Sequence, residues 1–152
     1  MVPATTERVA LHTSDDVNKR IRRQTEANVA KYSAGGKEAI SRRLAELDDE
    51  WDIERLLEAN AASATLIGLS LGRFVDRRFF LLPVAVATFL LQHAIQGWCP
   101  PLPIFRRLGF RTQSEIEEER YALKALRGDF ARFNEEFRGR KSPGDAMKAA
   151  RR

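Results

Sequence analysis

Cysteine is almost absent from this chain of 152 residues, in which Cys99 is the only one. A single cysteine excludes the intrachain disulfide framework of a small secreted domain, and a reducing compartment is the simpler assumption. Histidine is nearly as scarce, since only His12 and His93 occur. A closed zinc site takes four ligands, and three soft donors do not supply them. We therefore expect no metal and no cofactor.

Motifs of the common enzyme classes are also missing. The sequence has no glycine-rich phosphate loop, no H-E-x-x-H zinc-protease motif and no G-x-S-x-G nucleophile motif. It also has no early apolar run that could serve as a signal peptide, because the first long one begins near Ala59. We expect a non-enzymatic protein in which any membrane insertion uses an internal segment.

Charge of both signs is abundant. The 26 Lys and Arg exceed the 21 Asp and Glu, giving a formal net charge of +5, which suits contact with nucleic acid or with an anionic lipid surface. The compact basic run KRIRR, residues 19–23, has no nucleic-acid-binding motif beside it. We interpret it as a solvated helix face or a lipid contact, and nucleic acid is not an expected partner.

The first third of the chain predicts a tail and two helices. Residues 1–13 lack periodicity and are expected to be a flexible tail, and residues 14–57 are expected to form amphipathic cytoplasmic helices. Ser14 suits a helix N-cap, and the two glycines at 35 and 36 suit a helix end. The second helix should bury one stripe of residues. That stripe consists of Ile40, Leu44, Leu47 and Trp51.

The centre of the chain contains two stretches without a charged residue, 59–72 and 79–98, joined by the six residues RFVDRR. A membrane-spanning helix needs about 20 residues, so the second stretch is long enough and the first is short. So short a link makes the two helices antiparallel. We predict an all-α fold in which residues 58–111 form an antiparallel hydrophobic helical hairpin, transmembrane, flanked by amphipathic helices.

Two further features favour lipid over a protein core. Ala64, Gly68 and Gly72 form a ridge of small residues, which lets helix backbones approach closely inside a membrane. Trp98 stands just before the break at Pro100, where an aromatic anchor at the membrane interface would lie. The alternative is a soluble helical domain that uses the glycines for tight packing and the tryptophan in its core.

The arginines near the apolar stretches predict the orientation. Six flank the hairpin on the outside and three lie in its loop, which places both termini in the cytoplasm. The flanking residues are Arg42, Arg43, Arg55, Arg106, Arg107 and Arg111, and the loop residues are Arg73, Arg77 and Arg78.

The C-terminal part predicts one more helix and a tail. Thr112 and Glu115 form a capping-box pattern, so residues 112–139 should be an amphipathic helix. Its apolar residues recur with coiled-coil spacing, weakened by Gly128, and predict packing on a neighbouring helix or a dimer partner. They are Ile116, Leu123, Leu126, Phe130, Phe133 and Phe137. Residues 140–152 are expected to be a solvated basic tail.

Polar side chains cluster at the end of the second apolar stretch, where Gln92, His93 and Gln96 precede Cys99. As a low-pKa thiol, Cys99 would accept sulfur or bind a soft ligand, with His93 and the glutamines polarising it. The alternative is structural: the glutamines hydrogen-bond between helices, His93 lies near the interface and Cys99 fills space.

Residues 52–111 resemble the YgaP-like transmembrane domain family, and the G-x-C-P element after an apolar helix is the most specific part of the likeness. The residues that carry it are Asn60, Gly68, Gly72, Gly97, Cys99, Pro100, Leu108 and Gly109. The resemblance implies a two-helix hairpin of the bacterial inner membrane that dimerises, with a link to sulfur compounds through rhodanese domains attached in that family. With one cysteine, located after the hairpin, this chain has no rhodanese persulfide loop upstream.

Together these patterns predict a small protein of the bacterial inner membrane that self-associates as a dimer and presents its cytoplasmic helices to a protein partner. Two alternatives stay open, a sulfur-handling membrane protein that uses Cys99 and a soluble helical interaction module.

Overall fold

The computed structural model describes residue 4 and residues 6–130, and all regular structure in this part of the chain is helical. The predicted all-α class is therefore confirmed. The helices in chain order are α1 (Arg8–Leu11), α2 (Asp15–Ala34), α3 (Gly36–Asp49), α4 (Ile53–Phe74), a 3-10 helix (Arg77–Phe80), α5 (Leu81–Gln96), α6 (Leu102–Leu108) and α7 (Gln113–Arg127). The predicted basic tail, 140–152, lies outside the described residues.

Two apolar clusters hold together what we call the helical body, which comprises α1, α2, α3, α6, α7 and the first turns of α4. One cluster joins α1, α4 and α6, and the other joins α3 and α7. The first consists of Val9, Ile53, Leu57, Cys99 and Leu102. The second consists of Ile40, Leu44, Leu47, Ile116 and Leu123, with Val29 and Tyr32 of α2 against it.

The N-terminal segment differs from the predicted flexible tail. Residues 8 to 11 form α1, and Val9 is buried in the first apolar cluster. Thr13 donates a hydrogen bond to the Val9 carbonyl and Asn18 donates one to the Ala10 carbonyl, so this turn is closed by side chains that follow it. A single helical turn has no periodicity to detect, which explains why the sequence pattern missed it.

Helices α2 and α3 follow the prediction closely. Ser14 is the N-cap residue of α2, and the break falls at the two glycines, with Gly36 at φ +77°. The predicted stripe is buried in α3 except at its last member, because α3 ends at Asp49. Trp51 is 43% exposed and lies under the Arg55 guanidinium, so its predicted place on the buried face is wrong.

Helix α7 confirms the capping box and corrects the coiled-coil spacing. Thr112 and Glu115 make both reciprocal hydrogen bonds of the capping box. The helix ends at Arg127, because Gly128 adopts a left-handed φ of +92°. Leu126 is 58% exposed, so the predicted seam does not continue past the buried Leu123. The buried stripe instead consists of Ile116, Glu119 and Leu123. Phe130 is also exposed, and Phe133 and Phe137 lie outside the described residues.

Helices α4 and α5 pack against each other in opposite directions. Gly68, late in α4, lies against Pro83 at the start of α5, and Gly72 lies against Phe80 at the end of the 3-10 helix, whereas Glu54 in the first turn of α4 contacts the far end of α5. A Cβ added to Gly68 would lie 2.5 Å from Pro83 Cδ, and one added to Gly72 would lie 2.8 Å from the Phe80 ring. The small-residue ridge therefore serves contact within the chain, and any self-association must use another face.

The apolar parts of these two helices, residues 59–96, are called the helix pair below, and they differ sharply from the body in exposure. Among the described residues 14 hydrophobic side chains are buried, and none lies between residues 62 and 98. Of 20 exposed large hydrophobic side chains, 13 lie between residues 66 and 95. Within the described residues only the stretch Arg77–Gln96, 20 residues long, is apolar and long enough to cross a membrane.

We predict that Gly68→Leu separates α4 from α5. The new side chain would meet the rigid Pro83 ring, and overpacking of this kind costs about 1–3 kcal/mol or more. The thermal midpoint of the purified full chain should fall, and proteolysis at residues 75–76 should accelerate. Ser70→Leu is the matched control, because Ser70 is exposed on the same helix. Equal behaviour of the two variants would contradict the observed packing.

Candidate functional site

The structure separates the four polar residues predicted to act together near the end of α5. His93 is buried, Gln92 is half-buried and Gln96 is exposed, and the Gln96 backbone carbonyl is within 2.9 Å of His12 Nε2. Cys99 lies in the apolar cluster of the body instead. The hydrogen bonds of His93 go to a residue that the sequence pattern did not single out.

That residue is Glu54, and with Arg8 and His93 it forms what we call the foot cluster. His93 Nε2 donates to Glu54 Oε2 over 3.0 Å, and Arg8 Nη2 donates to Glu54 Oε1 over 3.1 Å. Arg8 Nη1 also donates to the Ala94 carbonyl over 3.2 Å. The cluster thus ties α1 to both helices of the pair where they meet the body. Its members lie 39 and 46 positions from Glu54, too far apart for a local pattern to reveal.

Hydrogen bonding controls the charge of this cluster. The bond from His93 is the largest effect and lowers the pKa of the Glu54 carboxyl, burial raises this pKa by less, and the bond from Arg8 lowers it further. Two buried atoms of the cluster, Arg8 Nε and His93 Nδ1, have no hydrogen-bond partner among the described residues. Glu54 is therefore an anion held between a guanidinium and an imidazole, an arrangement that fixes α1 against α4 and α5.

Cys99 has the surroundings of a structural cysteine. It is 7% exposed, with Val9, Leu57 and Leu102 in the same apolar cluster, and burial raises the pKa of its thiol. A thiol that accepts sulfur needs a lowered pKa and access to its donor. The environment of Cys99 supplies neither.

The rest of the G-x-C-P element forms a tight turn. Gly97 ends α5 at φ +86°, and a Cβ there would lie 2.6 Å from Arg8 Cβ and 2.7 Å from the Arg8 carbonyl oxygen. Only glycine fits so close a backbone approach. Pro100 is exposed after the turn, and α6 begins two residues later.

Two other residues that carry the resemblance, Gly109 and Asn60, lie away from the turn at Gly97. Gly109 ends α6 in a left-handed conformation, with φ +98° and open space around its Cα. Asn60 is exposed on α4, and Ala64 is half-buried on the same helix. The structure therefore explains Gly97 and Gly109 by backbone conformation and gives Asn60 no contact that would define a site.

Buried ion pairs inside the body were not predicted. Arg106 is fully buried and makes two 2.7 Å hydrogen bonds to the Glu115 carboxylate. Glu119 is equally buried and accepts from Arg43 over 2.7 Å and from Arg111. Three of the six arginines that were counted for orientation therefore hold helices together. Sequence gives a weak signal for them, since Glu119 falls on the buried stripe of α7.

Burial alone raises the pKa of Glu115 and Glu119, but hydrogen bonds from the arginines outweigh it. The bonds from Arg106 and Thr112 lower the pKa of Glu115, and those from Arg43 and Arg111 lower the pKa of Glu119. Both carboxylates thus stay ionised in the folded body, and removing Glu115 would leave the fully buried Arg106 guanidinium without its carboxylate partner.

The described residues bring together no set of three or more His, Cys, Asp or Glu side chains that could hold a metal ion. Comparison with known proteins gives no further guide, since no family model, no curated protein and no solved structure matches this chain. The resemblance to the YgaP-like transmembrane domain stays a prediction.

We predict that acid unfolds the body through these carboxylates. Because their folded-state pKa is depressed, their contribution is complete above the unfolded value of about 4.3 and is lost as pH falls through the folded-state pKa. Thermal unfolding followed by circular dichroism should show the midpoint falling steeply below about pH 5.

Glu119→Gln should lower stability at pH 7 by about 2 kcal/mol and weaken the further loss in acid, because Arg43 and Arg111 lose one carboxylate partner and keep Glu50. Glu118→Gln is the control, since Glu118 is exposed on the same helix. An acid transition of unchanged depth in Glu119→Gln would show that other groups drive it.

A separate prediction concerns Cys99. Burial and the raised pKa should make alkylation of the native full chain slow at neutral pH, with a large acceleration once the chain is unfolded in denaturant. Mass spectrometry after a timed exposure to iodoacetamide measures both rates. Rapid native labelling at pH 6, or a stable persulfide after treatment with a sulfur donor, would contradict the structural role and favour sulfur handling.

Proposed function

We propose that this chain is a small integral membrane protein of the bacterial inner membrane, whose helix pair crosses the bilayer while the helical body presents its surface in the cytoplasm. The single observation that carries the proposal is the contrast in exposure between the helix pair and the body. The body has two clusters of buried hydrophobic residues. The helix pair, in contrast, leaves 13 large hydrophobic side chains exposed between residues 66 and 95. Monomeric soluble proteins rarely expose apolar patches of this extent.

Helix lengths agree with a bilayer, more closely for the 3-10 helix and α5 together than for α4. At about 1.5 Å per residue, the 20 residues Arg77–Gln96 of that continuous stretch rise about 30 Å, the thickness of a bilayer core. The uncharged part of α4 is shorter, 59–72, and is bounded by Glu58 and Arg73. An arginine at a helix end extends its guanidinium to the headgroups, so this helix spans with its charged ends at the two interfaces.

The foot cluster supports the same placement. Arg8, Glu54 and His93 lie at the end of the pair opposite Arg73, Arg77 and Arg78, and their mutual hydrogen bonds reduce the cost of charge close to the hydrocarbon. Both ends of the pair thus carry charge, and the region between them has none. This distribution is what a segment surrounded by lipid requires.

Orientation and association are further parts of the proposal. Both termini lie in the cytoplasm, since the orientation rule counts Lys and Arg near the helix ends and acidic partners matter little to it. Dimerisation uses the outer surface of the pair, because Gly68 and Gly72 already contact α5. The exposed side chains of Tyr121 and Leu126 on α7 give a cytoplasmic protein partner an apolar contact surface.

The test of membrane integration is extraction of the expressed full chain with alkaline carbonate. We expect the wild type to stay in the membrane fraction and to need detergent for release. In the double variant Leu66→Glu and Leu91→Glu, both changed positions are more than 60% exposed on the pair. A charged residue at the centre of a spanning helix costs about 3 kcal/mol, so this variant should lose membrane integration.

The matched control changes two exposed residues of the body, Tyr121→Glu and Leu126→Glu, and should stay membrane-integrated. A wild type that carbonate releases as a folded protein needing no detergent would overturn the proposal and favour the soluble interaction module. Conversely, full integration of the Leu66→Glu and Leu91→Glu variant would show that the exposed surface of the pair does not face lipid.

A further inference from the structure

A second kind of exposed surface lies where the helix pair enters the body. There, apolar and basic side chains are exposed side by side, and we call this set the collar. Its apolar members are Leu11, Trp51, Ile104 and Leu108, and its basic members are Arg20, Arg55 and Arg107. Outside the helix pair, the exposed large hydrophobic residues of the described part of the chain are these four and three between residues 121 and 130, namely Tyr121, Leu126 and Phe130.

Contacts and a shared cleft join several members of the collar. The Arg55 guanidinium lies 4.5 Å from the centre of the Trp51 ring, and Trp51 lines one open cleft together with Leu108. Arg20 Nη2 donates a 2.7 Å hydrogen bond to the Arg107 carbonyl. Ile104 and Leu108 are four residues apart on α6, so they share a face of that helix.

The segments that carry the collar lie next to the start of α4 and the end of α5, where both helices of the pair meet the body. Trp51 precedes the first residue of α4 by two positions, and α6 follows the turn that ends α5. Leu11 belongs to α1, which the Arg8 hydrogen bond to Ala94 fixes to the end of α5. The collar therefore lies where the proposed membrane-spanning segments leave the bilayer on the side of the body.

The charge of the collar is available to an external anion. Glu50 and Asp52, the nearest carboxylates in sequence to Trp51, are occupied by Arg111 and by the Arg55 backbone N–H. In the described part of the chain, none of the three collar arginines takes part in an ion pair, although Asp16 lies one turn from Arg20 on α2. Exposed guanidinium groups without a carboxylate partner suit phosphate, which they bind in bidentate geometry.

We propose that the collar binds the headgroups of anionic phospholipids in the leaflet that faces the body. Arg20, Arg55 and Arg107 contact the phosphates, while Trp51 and the exposed face of α6 lie at the boundary between headgroups and acyl chains. Tryptophan favours that boundary, and an amphipathic helix with basic and apolar residues lies along it. This inference rests on the proposed membrane location and adds the lipid class that the protein selects. It also gives part of the basic run at residues 19–23 a role.

Fluorescence quenching of Trp51 by brominated lipids tests the inference in the full chain. In a Trp98→Phe background Trp51 is the only tryptophan. The protein is reconstituted into vesicles that contain either brominated phosphatidylglycerol or brominated phosphatidylcholine, and flotation verifies its incorporation. Each arginine near an anionic surface contributes about 1 kcal/mol, so the relative binding constant for phosphatidylglycerol should exceed that for phosphatidylcholine about fivefold or more.

The double variant Arg20→Gln and Arg107→Gln should weaken this preference, because Arg55 is then the one collar arginine left, and should still float with the vesicles. Lys37→Gln with Arg42→Gln is the charge-matched control, because both residues are exposed on α3, whereas the collar arginines lie on α2, α4 and α6. That control should keep the preference.

The outcomes separate the two proposals. A protein that fails to float contradicts the membrane location itself and the collar with it. A protein that floats while both lipids quench Trp51 equally, or neither lipid does, overturns the collar alone. The collar is likewise overturned if the Arg20→Gln and Arg107→Gln variant and its control lose the preference to the same degree.

Discussion

The buried Arg106 guanidinium is the contact on which the arrangement of the body depends. It bonds the Glu115 carboxylate on α7, the Thr13 hydroxyl after α1 and the Asn18 amide of α2. Because Arg106 lies on α6, directly after the turn that ends α5, this one side chain fixes the exit of the helix pair relative to three other elements. A fully buried guanidinium is tolerated because its bonds satisfy its charge and its donors.

The body and the helix pair differ in where their charged and apolar side chains lie. The body places charge inside, as at Glu119 between Arg43 and Arg111, and covers its apolar stripes with neighbouring helices. The pair has no charge between its ends, and the α4 backbone at Gly68 and Gly72 lies close against the side chains of Pro83 and Phe80. This difference in exposure and charge between the two parts is the observation behind the proposed membrane location.

Features that depend on neighbours within one or two helical turns could be predicted from the sequence. The Thr112 and Glu115 capping box and the break at Gly36 are examples, because each follows from local backbone geometry. The foot cluster and the Arg106 contacts could not be predicted, since each joins residues that only the tertiary fold brings together. The coiled-coil spacing failed at Leu126 for a related reason: α7 packs one face on α2 and α3, Leu126 lies off that face, and the helix ends at Arg127.

The G-x-C-P element shows how a specific pattern can have a structural cause. Gly97 is needed because the Arg8 backbone passes against it, and Arg8 is held there by Glu54 and by the Ala94 carbonyl. Cys99 lies in the apolar cluster that contains Val9. Helix α1 therefore packs against both the turn at Gly97 and the cysteine. The short N-terminal helix, which carries no periodic signal, thus accounts for both unusual residues of the motif. A chemical role for the thiol is not required to explain them.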